Sequence, residues 1–146
     1  MTLDNLIGKG LQREATNAAE IRRFLDKIAL KLADARNEQI SLDTRFDIAY
    51  EAVLQIGLAA LRANGVRPDS RGGHHILALQ TLNTTIAYPT KNLRLLDEFR
   101  RQRAAGLYDG SFDPTRAEVA AILNTLDDLH QHLAAWLKAN HPELLG

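Results

Sequence analysis

Five stretches of the sequence have apolar residues at the three- and four-residue spacing of a helix that buries one face. The predicted helices span residues 11–35, 44–64, 74–87, 92–105 and 114–140, with loops at 66–73 and 107–113. No stretch shows a competing strand pattern. Because the connections between the helices are short, the pattern predicts an all-α fold, an antiparallel bundle of about five helices.

Helix-ending and helix-starting residues stand at most of these boundaries. Asp43 is a suitable N-cap for the second helix, and Gly65 a suitable stop after it. Gly106 is predicted to end the fourth helix. Thr115 and Glu118 have the spacing of a capping box at the start of the last helix, which gives that helix the clearest signal.

Composition limits the classes of function. The 146 residues suit one domain, predicted over 1–146 with a core at about 11–140, and 45% of them are apolar. The absence of cysteine excludes a disulfide scaffold, a thiolate metal site and a cysteine nucleophile. With 18 basic and 18 acidic side chains, the net charge gives no general attraction to nucleic acid or membranes. Neither a cofactor nor a metal is predicted.

The cellular location follows from the apolar runs. None approaches the roughly 20 residues that span a bilayer, and residues 1–13 lack the apolar segment of a signal peptide. We therefore expect a cytoplasmic protein without a membrane partner.

An arginine interrupts the apolar face of the fourth helix. Arg103 stands on that face where a core residue belongs, and Arg100 borders it. An inward guanidinium is costly unless it meets a carboxylate, an anion or an aromatic ring. The pattern therefore predicts either an anion contact made by both arginines or a side chain that reaches water near the helix end. The apolar residues before it on that face are Leu93, Leu96 and Phe99.

Two histidines open the third helix. His75 aligns with the apolar residues of that helix and is expected to point inward, whereas His74 faces a rim. Adjacent residues on a helix diverge by roughly 100°, and no acidic residue is close in sequence, so a metal site is not predicted. The alternative is that both are polar helix-start residues, one of them hydrogen-bonded to a neighbouring helix.

The order of these features resembles the HEPN superfamily of helical toxin–antitoxin, phage-defence and nucleotidyltransferase-associated proteins. The resemblance covers about residues 15–138. It rests on Tyr50-Glu51-Ala52 in the second helix, Leu61–Gly65 at its end, a histidine opening the third helix, and the arginine-rich run Arg100–Asp109.

The resemblance implies a function and a set of site residues. Active members are metal-independent RNases in which an Arg is followed, after four to six residues, by a His, often with a further Tyr; the His acts as acid or base and the Arg stabilises charge on the phosphate. Arg103 matches the Arg, but Tyr108 stands where the His is expected. The implied ligand site is Arg100, Arg103, Tyr108, His74 and His75, with Arg103 and His75 catalytic only if the protein is an RNase.

Partners are also implied. The resemblance suggests a homodimer, a nucleotidyltransferase-type antitoxin, and RNA or a nucleotide as ligand. Apolar surface beyond the need of one bundle points to the same two-fold dimer, and it is attributed to Leu93, Leu95, Leu96 and Trp136.

Three hypotheses stay open at this point. Tyr108 in place of a His, together with the neutral charge, favours a nucleotide- or nucleic-acid-associated binding module. A metal-independent endoribonuclease toxin is the first alternative. A structural helical bundle without a ligand is the second.

Overall fold

The computed structural model describes residues 2–70 and 72–146, and helices make up 72% of it. The all-α prediction is confirmed, with one very small sheet in addition. Single 3-10 turns lie at Asp4–Leu6 and Pro142–Leu145. In chain order the elements are β1 (Leu11–Arg13), α1 (Ala18–Ala35), α2 (Leu42–Ala63), β2 (Val66–Pro68), α3 (His74–Gln80), α4 (Leu82–Ile86), α5 (Thr90–Tyr108) and α6 (Arg116–Asn140).

Helix α2 is the centre of the bundle, and it contacts all five other helices and β2. A helix surrounded in this way is apolar on most of its circumference, whereas α6 buries one stripe. The stripe of α6 has the helical spacing on which the predicted span 114–140 rests, and it includes Val119, Ile122, Leu126, Leu129 and Leu133, each at most 1% exposed. The fully buried residues of α2 include Ala49, Ala52, Val53, Ile56 and Ala60.

The first helix is shorter than predicted because a strand precedes it. Helix α1 begins at Ala18, after Asn17, whose side chain accepts a hydrogen bond from the backbone N–H of Glu20 at 2.9 Å. Residues Leu11–Arg13 pair antiparallel with Val66–Pro68, in the segment predicted as a loop. The sequence shows no strand pattern at either segment, because three-residue strands are too short to show alternation. Residue 71 of that loop lies outside the described residues.

The third and fourth predicted helices also differ. The third is divided into α3 and α4 at Thr81, whose hydroxyl donates to the Leu77 carbonyl at 2.6 Å and so competes with the helical backbone bonds. Ala87, at φ 55°, ends α4 in the left-handed region. Gly106 does not end the next helix, because α5 continues to Tyr108. The described residues therefore form six helices, one more than the sequence predicted.

The helix boundaries follow local side-chain bonds. The N-cap of α2 is Ser41 and not Asp43, because the Ser41 side chain accepts a hydrogen bond from the backbone N–H three residues later. Gly65, at φ 74°, follows α2 as predicted. The predicted capping box of Thr115 and Glu118 is present, with both reciprocal hydrogen bonds formed.

Helix α3 lies directly against α2. A Cβ atom added at Gly57 would stand 2.7 Å from the backbone oxygen of Ala78, so only glycine allows this approach. Tyr50 lies seven residues before Gly57 and therefore on the same face of α2. The close approach thus brings the start of α3 next to Tyr50.

The leucine-rich part of α5 is mostly core. Leu96 is fully buried, and Leu93 and Trp136 pack against the core of the same chain. Leu95 alone of the four residues predicted to supply surplus apolar surface is exposed, at 42%. The surplus is smaller than expected, and the homodimer stays a prediction. Within the described residues, no helix combines the length and the apolar character that crossing a membrane requires.

One buried guanidinium joins the N-terminal segment to the bundle. Arg62, near the end of α2, is 6% exposed and donates to both carboxylate oxygens of Glu20 in α1. Its Nη1 donates to the backbone oxygens of Glu14 at 2.8 Å and Val66 at 3.1 Å, and its Nη2 donates to that of Ala15 at 2.9 Å. The hydrogen bond from Arg62 lowers the pKa of Glu20. Four parts of the chain therefore meet at one side chain.

We expect the Arg62→Leu substitution to lower the free energy of unfolding by about 3–5 kcal/mol, because it leaves a partly buried carboxylate and three carbonyls without their donor. The matched control is Arg67→Leu. Arg67 pairs with Glu14 at 3.2 Å on the surface, and its loss should cost less than about 1 kcal/mol. Urea denaturation measures both.

Acid should reduce the difference in the free energy of unfolding between the Arg62→Leu and Arg67→Leu variants. The pKa of Glu20 is lowered in the folded state, so its contribution is present above the ordinary pKa and is lost as pH falls through the lowered value. Equal losses of stability in the two variants at neutral pH would contradict this account of Arg62.

Candidate functional site

A cavity of about 240 Å³ opens where the start of α3 meets the end of α5 over the face of α2. All five residues that the sequence predicted for a ligand site line it. Tyr50 of α2 lines it too, although it was not among the predicted site residues. The complete lining is Tyr50, Gly73, His74, His75, Ile76, Arg100, Arg103, Ala104 and Tyr108.

Arg103 is half-buried and lies over an aromatic ring. Its guanidinium carbon is 5.8 Å from the centroid of the Tyr50 ring, a cation–π distance worth roughly 0.5–2 kcal/mol. Its Nε is buried and has no hydrogen-bond partner among the described residues, which costs about 1–3 kcal/mol. The ring and the missing hydrogen bond thus have effects of similar size and opposite sign, and an anion in the cavity would stabilise the guanidinium further.

Arg100 and Arg101 differ from Arg103 in their partners. The Nε of Arg100 donates to Asp97 at 2.9 Å. Arg101 is exposed and pairs with Glu98 at 2.9 Å and, at the longer distance of 3.5 Å, with Asp97. No carboxylate of the described residues lies within 4 Å of the Arg103 nitrogens. Arg103 is thus the cation of this group with the least local neutralisation.

One carboxylate still interacts with Arg103 at longer range. Burial raises the pKa of Asp47, and the nearby charges of Asp43 and Glu51 act in the same direction. The positive charge of Arg103 lowers that pKa. Asp47 therefore supplies partial compensation to Arg103 without forming an ion pair.

Tyr50 is the site residue that the sequence missed. The side chain is 1% exposed, and its hydroxyl has no hydrogen-bond partner among the described residues. Burial raises the pKa of Tyr50, while Arg100 and Arg103 act in the opposite direction. The hydroxyl is therefore protonated and able to donate. A tyrosine within an apolar helix face is a weak sequence signal for such a site, since its hydroxyl needs a partner.

The two histidines at the start of α3 have different environments. The His75 ring is tilted against that of Tyr50 at 6.2 Å between centroids. Desolvation lowers the pKa of His75, and so do Arg103, His74 and Arg100, so the ring is neutral at neutral pH. His74 Nε2 lies 2.6 Å from the carbonyl oxygen of Asp69; because a carbonyl only accepts, that nitrogen bears the proton.

Tyr108 is the last residue of α5 and stands at the mouth of the cavity. It is 82% exposed, where the resemblance expected a histidine. Ile76, on the opposite element, is also exposed, at 39%. An exposed aromatic ring and an exposed aliphatic side chain thus border a cavity with a basic interior.

His132 packs between helices, away from the candidate site. His132 Nε2 lies 2.6 Å from the carbonyl oxygen of Ile86, and its ring packs edge-on against Tyr88. The Tyr88 hydroxyl donates to Asp128 at 2.8 Å. These bonds join α4 to α6 away from the cavity. No cluster of three or more metal-ligating side chains occurs within residues 2–70 and 72–146.

Comparison of the chain with protein-family models, with curated proteins and with solved structures finds no match. The resemblance to the HEPN superfamily therefore stays a prediction.

We expect the affinity for sulfate to rise by about tenfold (roughly 1.4 kcal/mol) as pH falls from about 8 to 5.5, because a bound dianion favours protonated His75. The pKa of His75 is lowered in the free protein, so most of the gain should come below its ordinary value of about 6.5. Sulfate remains a dianion in this range, which makes calorimetric titration with it interpretable.

The variant His75→Gln should lose most of this pH dependence. The control is His141→Gln, since His141 pairs with Glu143 near the C-terminus and lies outside the cavity. A wild-type pH dependence in His75→Gln would show that another group takes up the proton.

Proposed function

We propose that this chain is a HEPN-like helical binding module that holds a phosphate-bearing ligand, a nucleotide or a nucleic acid, in the cavity around Arg103. The observation that supports this most is the half-buried Arg103, whose Nε lacks a partner and whose nitrogens have no carboxylate within 4 Å among the described residues. A buried cation in that state is stabilised by an incoming anion.

The chemistry of the lining favours phosphate over other anions. A guanidinium presents its N–H groups in a planar fork that matches phosphate oxygens. Arg100 adds further N–H donors, and the buried Tyr50 hydroxyl lacks a partner in the described chain. Because the net charge is zero, the attraction is local to this cavity.

The resemblance further supports a place in a toxin–antitoxin-type system, as a homodimer with a nucleotidyltransferase-type partner. Exposed apolar residues suited to such contacts are Leu95 on α5 and, at the end of that helix, Leu107 and Tyr108. Light scattering tests the dimer directly.

We expect Arg103→Gln to weaken the binding of AMP and of a short single-stranded RNA by about tenfold or more, because a hydrogen bond from a charged group contributes roughly 1.5–3 kcal/mol. The matched control is Arg101→Gln, which removes the same charge from the outer face of the same helix. Calorimetry for AMP and fluorescence anisotropy for RNA measure the affinities. Equal weakening by both variants would mean general charge attraction and would contradict a site at Arg103.

Metal-independent RNA cleavage is the second candidate, and the lowered pKa of His75 favours it. A histidine that is neutral at neutral pH can take the proton of an attacking hydroxyl, and Arg103 lines the same cavity, where developing negative charge on a phosphate would be stabilised. The general base would then come from the start of α3, because position 108 holds a tyrosine.

If this second candidate holds, labelled RNA incubated with the protein and EDTA is cut. His75→Ala and Arg103→Ala should each reduce the rate by about 100-fold or more, in the range of a lost acid–base group. Arg101→Ala should keep the wild-type rate. Absence of cleavage by the wild-type protein excludes this candidate and leaves the binding function.

A further inference from the structure

A second cavity, of about 410 Å³, adjoins the first along α2. Tyr50, His75 and Arg103 line both cavities and form a wall that the two share. The other residues that line the second cavity are Lys31, Glu51, Leu54, Gln55 and Leu58, from α1 and α2. The two cavities therefore adjoin each other at these three side chains, and we call the pair the groove.

The two parts of the groove differ in charge. In the second cavity, Lys31 Nζ lies 3.0 Å from Glu51 Oε2, so the two charges neutralise each other. Leu54 and Leu58 supply apolar lining. Arg103 lines both cavities, and the first cavity adds a second cation, Arg100. A ligand that fills both therefore fits best with its anionic group in the first cavity, beside the two arginines, and an uncharged organic group in the second.

Gln55 supplies the polar group of the uncharged part. Its Oε1 is buried without a hydrogen-bond partner among the described residues, and none of those residues bonds its Nε2. A carboxamide whose donor and acceptor both lack a protein partner can pair with the edge of a nucleobase, most directly with the amino group and ring nitrogen of adenine.

Size also favours a ligand in both parts. Sites for organic ligands usually have volumes of roughly 300–1,000 Å³. The first cavity, at about 240 Å³, is below that range, whereas the second, at about 410 Å³, is within it. The first cavity suits a phosphate and part of a sugar, and the second suits a base.

We propose that the groove binds a free nucleoside monophosphate, with the phosphate at Arg100 and Arg103 and the base between Leu54 and Leu58 against the Gln55 amide. This inference rests on the proposed phosphate site at Arg103. It adds the ligand class and names Gln55 as the residue that recognises the base.

Calorimetric titration with AMP and with ribose 5-phosphate tests the inference, since the two ligands differ by the base. We expect AMP to bind at least about tenfold more tightly than ribose 5-phosphate, given the usual contribution of one stacked or enclosed base. Gln55→Leu should weaken the binding of AMP by about 3- to 10-fold, the effect of one neutral hydrogen bond. It should leave the affinity for ribose 5-phosphate unchanged. Unchanged ribose 5-phosphate binding also shows that the variant is folded.

The matched control is Gln102→Leu. Gln102 also has a buried Oε1 without a partner among the described residues, but it lines neither cavity. Both ligands should bind this variant as they bind the wild type.

The failures of the two proposals are distinguishable. Equal affinity for AMP and ribose 5-phosphate, both weakened by Arg103→Gln, would overturn the base-binding part and leave the phosphate site. An equal loss of affinity for AMP in Gln55→Leu and Gln102→Leu would overturn the role of Gln55. No binding of either ligand would overturn the phosphate site and, with it, this inference.

Discussion

The hydrogen bonds of Arg62 fix the arrangement on which the site depends. This buried guanidinium holds the segment before α1, the carboxylate of Glu20 and the first residue of β2 to the end of α2. Each backbone oxygen involved would otherwise lose its partner on burial, at a cost of about 1–3 kcal/mol. Because β2 leads into α3, the same bonds limit where His74 and His75 can lie. Gly57 completes the arrangement by letting α3 approach α2.

Periodicity was sufficient for the elements whose apolar residues follow a regular stripe or whose caps are local. It predicted α6 and its capping box because Thr115 and Glu118 bond to each other within one turn. It missed the sheet, because residues 11–13 and 66–68 are held together by contacts more than 50 residues apart in sequence. It also missed the division at Thr81, where a side-chain hydroxyl competes with the helix. Tertiary and side-chain bonds account for these differences.

The candidate site was predictable only where a charged residue stands on an apolar helix face. Arg103 was identified because a charge interrupts an apolar stripe, and the structure places it in a cavity with the other four predicted residues. Tyr50 and Gln55 fit a helix without conflict, so the pattern distinguishes Tyr50 only weakly and Gln55 not at all. Their hydroxyl and carbonyl groups lack partners only because of how α1, α3 and α5 pack around α2. That information exists only in three dimensions.

The charges around Arg103 link ligand binding to protons. Burial and acidic neighbours raise the pKa of Asp47, and Arg103 partly opposes this. Burial and the same arginine lower the pKa of His75. An anion bound at Arg103 offsets the arginine's charge, so the pKa of Asp47 rises further and that of His75 rises toward its ordinary value. Both pKa values rise when the anion binds. Anion binding at this cavity therefore takes up protons, and affinity at Arg103 depends on pH through groups on α2 and α3 together.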